Sequence, residues 1–332
     1  MSKVVRFHAC GGPEVLRLED VALEHPGEWE VRVRQVACGV NYIDTYHRSG
    51  LYRVDLPSGL GVEASGVVEA VGQGVDAFKV GDRVAYASGL VGAYAEVRNI
   101  PWEHLCLLPD SISFEQAAAM MVKGMTAQFL IRRTHQVQPG ETVLFHAISG
   151  GVGVIACQWL KSLGAIVIGT AGSPEKCELA RRNGADYCIN YRQEDFAEQV
   201  KVITKGAGVS VVYDSVGKDT FEGSIRCLRR FGLMVSFGNA SGPVPPFPPR
   251  LLAESGSLYL TRPTLFHHIA ERDDLEAISG ELFEMVGSGK VQLEVNHRYA
   301  LADASSAHQD LEARNTTGPV ILMTTGSEDC AI

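Results

Sequence analysis

The segment TVLFHAISGGVGVIA, residues 142–156, decides the fold. Its first six residues are an apolar, partly β-branched run that is typical of a buried strand. Residues 151–156, GVGVIA, then follow the pattern G-x-G-x-x-A at the start of a helical segment. In this pattern Gly151 permits a tight turn, Gly153 lets the backbone approach a pyrophosphate, and Ala156 is small where helix meets strand. Strand, glycine loop and helix in this order predict a dinucleotide-binding unit, with the anion at the helix N-terminus.

The sequence on either side of this segment alternates between strand and helix from about residue 124. Helical segments separate the further predicted strands, which are AIVIGT (165–170), YCIN (187–190), VSVVYDS (209–215), LMVSFG (233–238) and SLYLTR (257–262). Such alternation predicts right-handed βαβ units and a doubly wound parallel sheet covered on both faces. We therefore predict an α/β Rossmann domain over residues 124–264. His146, next to the glycine loop, is predicted to be a buried, hydrogen-bonded histidine.

The part before residue 124 is different, because short strand-like segments follow one another between Gly, Pro and Asp residues. These segments are EVRVRQVAC (30–38), GVVEAVG (66–72), DRVAYA (82–87) and AYAEV (93–97). After the proline-rich loop PVPPFPP (243–249) the chain returns to mixed helix and strand. We predict a β-rich second domain that is discontinuous, over residues 1–123 and 265–332.

Composition limits the possible functions. The 332 residues are enough for two domains, and the net charge of −9 argues against a nucleic-acid or membrane-surface partner. No apolar stretch approaches the ~20 residues that span a bilayer. The eight cysteines are scattered without a C-x-x-C pair, which favours reduced thiols in a cytoplasmic protein.

The end of the second Rossmann strand indicates which nicotinamide cofactor is bound. NAD-specific folds place an acid there, but this chain has Thr170-Ala171-Gly172-Ser173. Ser173 is a good N-cap and Pro174 a good first helical residue. Lys176 then lies in the first turn, where a cation opposes the helix dipole. This placement predicts a 2′-phosphate, and hence NADPH; the alternative is a solvated surface lysine.

The run GLGVEASGVVEAVGQGV (59–75), followed by GDRV, is not a phosphate loop, because strand and turn follow it instead of a helix. It resembles the medium-chain dehydrogenase/reductase pattern, in which zinc alcohol dehydrogenases carry G-H-E. Val62 stands at the histidine position and Asn41 at the cysteine position of GVNYID (39–44). Valine cannot ligate zinc and asparagine is a poor ligand. We therefore predict no metal site.

The whole chain resembles the zinc-free branch of that family, the quinone oxidoreductases related to zeta-crystallin, and looks most like the bacterial ones. The supporting runs include GVNYIDTYHRSGLY, LFHAISGGVG, VVYDSVG and GLMVSFGNASG, in order along nearly the whole chain. The resemblance implies a GroES-like catalytic domain formed by both chain ends, a Rossmann domain between them, and a homodimer. It also implies metal-free hydride transfer from NADPH to a small-molecule quinone.

The resemblance further implies the residues that bind the cofactor. Asn41 and Tyr42 would lie beside the nicotinamide, Thr126 in the interdomain helix, Leu265 over the nicotinamide, and Arg314 against the cofactor from the C-terminal segment. The remaining implied contacts are Gly151, Val152 and Gly153 at the pyrophosphate, Gly172, Ser173, Lys176 and Tyr191 around the 2′-phosphoadenosine, and Phe237, Gly238, Asn239 and Ser241 along the dinucleotide.

A quinone is already electrophilic, so its reduction needs mainly orientation and donors for the developing oxyanion. The candidate catalytic donors are the Asn41 amide and the Tyr46 and Tyr52 hydroxyls, although both tyrosines equally suit a packing role. The proton can come from a tyrosine or from water. Two other functions stay open: reduction of α,β-unsaturated carbonyls (2-alkenals or enones), and NADPH binding without effective catalysis.

Overall fold

The computed structural model describes residues 1–324 and divides the chain into two compact units. The terminal unit comprises Met1–Met125, Ile269–Gly287 and the described part of Leu293–Ile332. The central unit comprises Thr126–His268 and Ser288–Gln292. Residues 325–332, which end the predicted β-rich domain, lie outside the described residues.

The strands and α-helices of the described residues have the following bounds. The strands are β1 (Ser2–Phe7), β2 (Arg17–Val21), β3 (Glu30–Val40), β4 (Ser58–Gly59), β5 (Glu63–Val71), β6 (Arg83–Ala87), β7 (Val97–Pro101), β8 (Leu105–Leu107), β9 (Thr142–Phe145), β10 (Ile166–Ala171), β11 (Tyr187–Asn190), β12 (Val209–Asp214), β13 (Leu228–Ser236), β14 (Tyr259–Thr261), β15 (His297–Ala300) and β16 (Val320–Met323). The helices are α1 (Tyr42–Ser49), α2 (Phe114–Phe129), α3 (Gly151–Ser162), α4 (Pro174–Arg182), α5 (Phe196–Ile203), α6 (Phe221–Cys227), α7 (Arg250–Glu254), α8 (Leu265–His268), α9 (Arg272–Gly287) and α10 (Ala304–Glu312).

The central unit is built on a parallel sheet of order β11-β10-β9-β12-β13-β14. The chain winds outward from β9 in one direction and from β12 in the other, which confirms the predicted doubly wound fold. Apolar side chains of the strands, such as Leu144, Ile168 and Val212, form its core. Because all the strands are parallel, the loops after β9, β10, β12 and β13 leave the sheet at the same edge.

The terminal unit holds two largely antiparallel sheets. The larger has the order β15-β16-β3-β5-β6-β8, with β7 also paired to β3, and the smaller has the order β2-β1-β4. The C-terminal strand β16 pairs antiparallel with β3, with Ile321 opposite Gly39. The larger sheet therefore combines strands from the N-terminal and C-terminal parts of the described chain. Its core includes Val33, Tyr86, Ile100 and Leu322.

Two sequence predictions about the elements were wrong. The segment AYAEV (93–97) is not a strand; apart from an isolated bridge at Ala95, it is irregular until β7 begins at Val97. The buried Gln35 side chain donates to the carbonyl oxygens of Ala93 and Ala95, so a side chain replaces part of the ladder there.

The helix predicted from residue 124 in fact begins ten residues earlier, at Phe114. Ser113 Oγ accepts from the Gln116 N–H, and Gln116 Oε1 accepts from the Ser113 N–H, which is a capping box. Gly124, where the sequence predicts this helix to begin, lies within α2, and a Cβ there would come within 2.5 Å of Leu282. The glycine serves close packing inside the terminal unit and does not end a helix.

A buried polar chain ties the strands of the central sheet to α6. Asp214 Oδ1 accepts from the N–H groups of Val216 and Gly217, at 2.8 and 3.0 Å. Ser224 Oγ donates to Asp214 Oδ2 and bonds His146 Nε2, each at 2.9 Å. His146 Nδ1 bonds the Thr170 hydroxyl, which confirms the predicted buried, hydrogen-bonded histidine. Burial lowers the pKa of His146, although Asp214 opposes this shift. The ring is therefore neutral, and one of its nitrogens donates a hydrogen bond while the other accepts one.

We expect Asp214→Ala to destabilise the protein by about 3 kcal/mol, because two backbone N–H groups and the buried hydroxyls of Ser224 and Thr220 lose this acceptor. Asp214→Asn should cost less, since its oxygen still accepts from the backbone and its NH₂ can donate to Ser224 if the His146 tautomer reverses. Urea unfolding measures both, with the exposed Asp219→Ala as the control. If Asp214→Ala and Asp214→Asn lowered the free energy of unfolding equally, the proposed reversal of the His146 tautomer would be contradicted.

Candidate functional site

The first part of the site is the glycine loop after β9. Helix α3 begins at Gly151 with Gly150 as N-cap, and no side chain caps its first N–H groups. These donors and the positive end of the helix form an anion site. A Cβ on Gly153 would lie 2.5 Å from the carbonyl oxygens of Ala147 and Ile148. Gly153 is therefore required by the loop itself, a reason that the sequence pattern did not reveal.

The loop after β10 carries the predicted 2′-phosphate residues. Ser173 is the N-cap of α4 and its hydroxyl accepts from the Lys176 N–H, with Pro174 in the first turn, as predicted. A Cβ on Gly172 would lie 2.8 Å from the Tyr191 hydroxyl and 3.5 Å from Arg192 Nε. The structure thus brings Gly172 and Tyr191 together and adds Arg192, which the sequence analysis missed although it directly follows Tyr191.

The loop after β13 completes this edge of the central sheet with Phe237, Gly238, Asn239 and Ser241. Gly238 packs so closely that a Cβ would lie 2.4 Å from the Ser215 carbonyl oxygen. Ser241 Oγ donates to the Val216 carbonyl at 2.9 Å. The loops after β12 and β13 are thereby held together. Two other predicted residues of this unit are buried: Thr126 within α2, and Leu265 as the first residue of α8.

In the terminal unit the three predicted tyrosines form a contiguous aromatic group. Tyr42 and Tyr46 lie on α1, and Tyr52 follows it. The ring centroids of Tyr42 and Tyr46 are 6.1 Å apart, and those of Tyr46 and Tyr52 are 5.3 Å apart in an edge-to-face arrangement. Arg314 is exposed after α10 and has a left-handed backbone, with φ of 61°.

Asn41 precedes α1 and lies in a buried cluster with Glu63 and Lys123. Its side-chain Nδ2 donates to Glu63 Oε1 at 2.7 Å, and Lys123 Nζ donates to the same oxygen at 2.7 Å. The Val122 N–H donates to the other oxygen, Oε2, at 2.6 Å. Glu63 is 0% exposed, Lys123 5% and Asn41 7%. The carboxylate thus accepts from three donors, one of them cationic.

This cluster occupies the corner that resembles a zinc site in the alcohol dehydrogenases. Neither Val62 nor an asparagine whose NH₂ faces a carboxylate is suited to ligate zinc, and the Lys123 ammonium adds a positive charge beside them. The donor set does not fit the metal. Across residues 1–324, no group of three His, Cys, Asp or Glu side chains is arranged to hold a metal ion.

A second buried chain reaches Asn41 from the C-terminal helix α10. Arg48 Nη1 donates to His308 Nδ1 at 3.0 Å, and His308 Nε2 bonds the Tyr94 hydroxyl at 3.1 Å. The Tyr94 hydroxyl bonds Asp44 Oδ2, which also accepts from the Asn41 N–H, each at 2.8 Å. Arginine can only donate, so His308 carries its proton on Nε2 and the chain runs from Arg48 to Asp44.

The ionisable groups of this chain are shifted by burial. Burial raises the pKa of Asp44 to about 7, partly offset by its hydrogen bonds from Asn41 and Tyr94. Burial and the neighbouring Arg48 lower the pKa of His308 to about 3. Tyr94 and His308 lie far from α1 in sequence and share no spacing with it, so no sequence signal indicated this chain.

Two sequence families match the chain. The zinc-binding dehydrogenase family matches residues 151–278, and the alcohol dehydrogenase GroES-like domain matches residues 27–110. These matches confirm the GroES-like and Rossmann combination and place the chain among the medium-chain dehydrogenases/reductases.

Individual relatives give the narrower family. The quinone oxidoreductase of Pseudomonas aeruginosa is 53% identical over 324 residues, 97% of this chain and 100% of that protein. The crystal structure of Escherichia coli quinone oxidoreductase complexed with NADPH has a TM-score of 0.95 at 50% identity and covers 97% of this chain and 99% of its own. A 2-haloacrylate reductase of Burkholderia sp is 42% identical over 96% of this chain and 97% of its own. The chain belongs to the quinone oxidoreductase family.

The helices of the described chain also bear on membrane association. Within residues 1–324 we find no helix with both the length and the apolar character needed to cross a bilayer.

We expect the His308 chain to make stability depend on pH. The pKa of His308 is lowered from its ordinary 6.5 to about 3, so between these values only the unfolded chain binds this proton. The stability from burying neutral His308 is complete above pH 6.5 and falls as the pH drops, by up to about 1.4 kcal/mol per pH unit. His308→Gln lacks this proton, so urea unfolding between pH 7 and 5 should show a flatter acid loss.

Asp44 contributes with the opposite sign, because its raised pKa favours the folded state as the pH falls below about 7. It is present in both proteins, so the difference between wild type and His308→Gln isolates the histidine. If the free energy of unfolding fell equally with pH in wild type and in His308→Gln, the assignment of neutral His308 would be contradicted.

Proposed function

We propose that the protein is an NADPH-dependent quinone oxidoreductase that needs no metal. The observation that carries the proposal is the corner at Asn41 and Val62, where a zinc alcohol dehydrogenase has ligands and this chain has an amide and a valine. Without a Lewis acid to polarise an alcohol, an already electrophilic acceptor suits the site best. Quinone oxidoreductases at 50–53% identity support this substrate class over enones.

The cofactor is held by the Rossmann domain, predicted over residues 124–264, which is built on the central unit with its segment Thr126–His268. Gly151, Val152 and Gly153 bind the pyrophosphate through the uncapped first turn of α3. Lys176 and Arg192 bind the 2′-phosphate. The other contacts are Gly172, Ser173 and Tyr191 at the adenosine end, Phe237, Gly238, Asn239 and Ser241 along the dinucleotide, Thr126, Leu265, Asn41 and Tyr42 towards the nicotinamide, and Arg314 from the C-terminal segment.

When bound, NADPH supplies the hydride. The catalytic domain, which we assign to residues 1–123 and 265–332, supplies the donors. Asn41, Tyr46 and Tyr52 stabilise the negative charge that develops on the quinone oxygen. The edge-to-face contact of Tyr46 with Tyr52 restricts both rings and so pre-organises their hydroxyls.

The test measures NADPH oxidation by the purified protein with 1,4-benzoquinone and with a 2-alkenal, and NADP⁺ reduction with a primary alcohol. We expect benzoquinone to have the highest kcat/KM. Turnover of the alkenal alone would favour the enone reductase, and tight NADPH binding without any turnover would favour a non-catalytic binding protein. Metal-dependent alcohol oxidation would overturn both reductase assignments.

We expect Lys176→Ala to lower the preference for NADPH over NADH, measured as the ratio of kcat/KM values, by about tenfold or more, because a charge-assisted phosphate contact is lost. Arg192→Ala should have an effect of the same sign. Lys201→Ala on the exposed face of α5 is the matched control. An unchanged ratio in both Lys176→Ala and Arg192→Ala would refute the 2′-phosphate assignment.

We further propose a metal-free, cytoplasmic homodimer. Strand β14 is an edge of the central sheet, and Tyr259 on it is 62% exposed, with Phe231 of β13 61% exposed. An open edge with exposed aromatic rings is suited to pairing with a second copy. Sedimentation equilibrium should give twice the 35.9 kDa chain mass. Elemental analysis should find less than stoichiometric zinc, and cell fractionation should recover the protein with the cytoplasm.

A further inference from the structure

We infer that Glu63 and Lys123 are positioning residues that fix the orientation of the Asn41 amide. The inference deepens the proposed function and rests on it, because Asn41 is there a donor to the substrate. Glu63 and Lys123 themselves do not contact the substrate. They act through the hydrogen bond from Asn41 Nδ2 to Glu63 Oε1.

The argument begins with the number of donors around one carboxyl group. Glu63 Oε2 accepts from the backbone N–H of Val122, which cannot turn away because it belongs to α2. Glu63 Oε1 accepts from Lys123 Nζ and Asn41 Nδ2. Only an ionised carboxylate accepts on both oxygens without donating from either. With a carboxylate at position 63, the Asn41 amide must turn its NH₂ towards Glu63 and its Oδ1 away.

A neutral group at position 63 reverses this orientation. An amide or a protonated acid has an acceptor on one side and a donor on the other. When its acceptor faces the fixed Val122 N–H, such a group turns a donor towards Asn41 and Lys123, and the Asn41 Oδ1 is the acceptor that can face both. The Asn41 amide then flips to offer Oδ1, and its NH₂ leaves the position that it has in the native protein.

Lys123 places a positive charge directly beside the carboxylate at position 63. Desolvation disfavours a buried charge, so removing this cation favours the protonated form of the carboxyl group. Lys123 is 5% exposed and its Nζ lies 2.7 Å from Glu63 Oε1. The backbone also provides the space: a Cβ on Gly39 would lie 2.0 Å from Glu63 Oε1. Glycine at position 39 is therefore a condition for the cluster.

Other ionisable groups also interact electrostatically with Glu63, and the experiment has to distinguish their pH effects from those of Glu63. They are Cys38 on β3, Asp44 on α1, Tyr86 on β6, and Tyr94. All of these are retained in every variant below. A pH effect that needs Glu63 is therefore identified by its loss when Glu63 is replaced.

The experiment compares Glu63→Gln, Lys123→Met and the double variant with wild type and with Lys79→Met, an exposed lysine of the same unit. We expect Glu63→Gln and Lys123→Met to lower kcat with benzoquinone by about 10²-fold at pH 6, the effect of losing one oriented donor, with the KM for NADPH little changed. As the pH rises, kcat of Lys123→Met should recover because Glu63 ionises. Glu63→Gln and the double variant should not recover, and Lys79→Met should behave as wild type.

A role in packing alone would predict equal losses at every pH, and that result would overturn the inference. So would an unchanged kcat in both single variants. Circular dichroism and the melting temperature establish that each variant is folded under the assay conditions.

A second readout is independent of quinone turnover. The side-chain ¹⁵N–¹H resonances of Asn41, assigned by their loss in Asn41→Asp, should shift in Glu63→Gln and in Lys123→Met at pH 6, but not in Lys79→Met. If wild type failed to reduce quinones, the proposed function would fail while these shifts still supported the positioning role. Unshifted Asn41 resonances in both variants would overturn the role itself.

Discussion

The antiparallel pairing of β16 with β3 is the contact on which the terminal unit depends. It brings the C-terminal segment beside the end of β3, where Val320 pairs with Val40, immediately before Asn41. Helix α10, which precedes β16, then lies close enough to α1 for His308 to bond Arg48. The residues around Asn41 are thus fixed by parts of the chain that are almost three hundred positions apart. Residues 126–268, which lie between these parts of the chain, form the uninterrupted parallel sheet.

The buried carboxyl groups of the two units are stabilised by different kinds of donor. Asp214 in the central unit accepts hydrogen bonds from amides and hydroxyls, without an arginine or lysine among the donors described above. Glu63 has the Lys123 ammonium, and Asp44 near it has Tyr94 and a backbone N–H. The Asp44 oxygen Oδ1 has no hydrogen-bond partner in the described chain. Burial raises the pKa of Asp44 to about 7 against the hydrogen bonds from Asn41 and Tyr94, while the nearby Glu63 charge raises the pKa further and Lys123 lowers it.

The sequence predicted well those features that depend on local chemistry. The strand YCIN has the predicted bounds, and Ser173 caps α4 with Pro174 in the first turn. It predicted poorly the features that depend on distant partners. AYAEV alternates like a strand, but the Gln35 side chain occupies its carbonyl groups. Gly124 looks like a helix boundary, yet the close approach of Leu282, which no local pattern encodes, explains it.

The candidate site shows the same division. The glycine loop and the cap of α4 follow from residue types at short spacing. Lys123 and Glu63 are sixty residues apart, and Tyr94 and His308 more than two hundred, so their contacts required the fold. The resemblance to a family indicated that Asn41 stands where the zinc enzymes have a metal ligand. The Lys123 cation beside Glu63 was visible only in the structure.

The cation beside Glu63 also bears on how such a corner can be redesigned. Replacing Val62 with histidine and Asn41 with cysteine would restore two zinc-binding residue types, but the Lys123 ammonium would remain bound to the adjacent carboxylate. An incoming divalent ion would meet a resident positive charge in a place sealed from water, where repulsion is strong. Conversion to a metalloenzyme therefore has to begin by removing Lys123, a residue that would not itself be a zinc ligand.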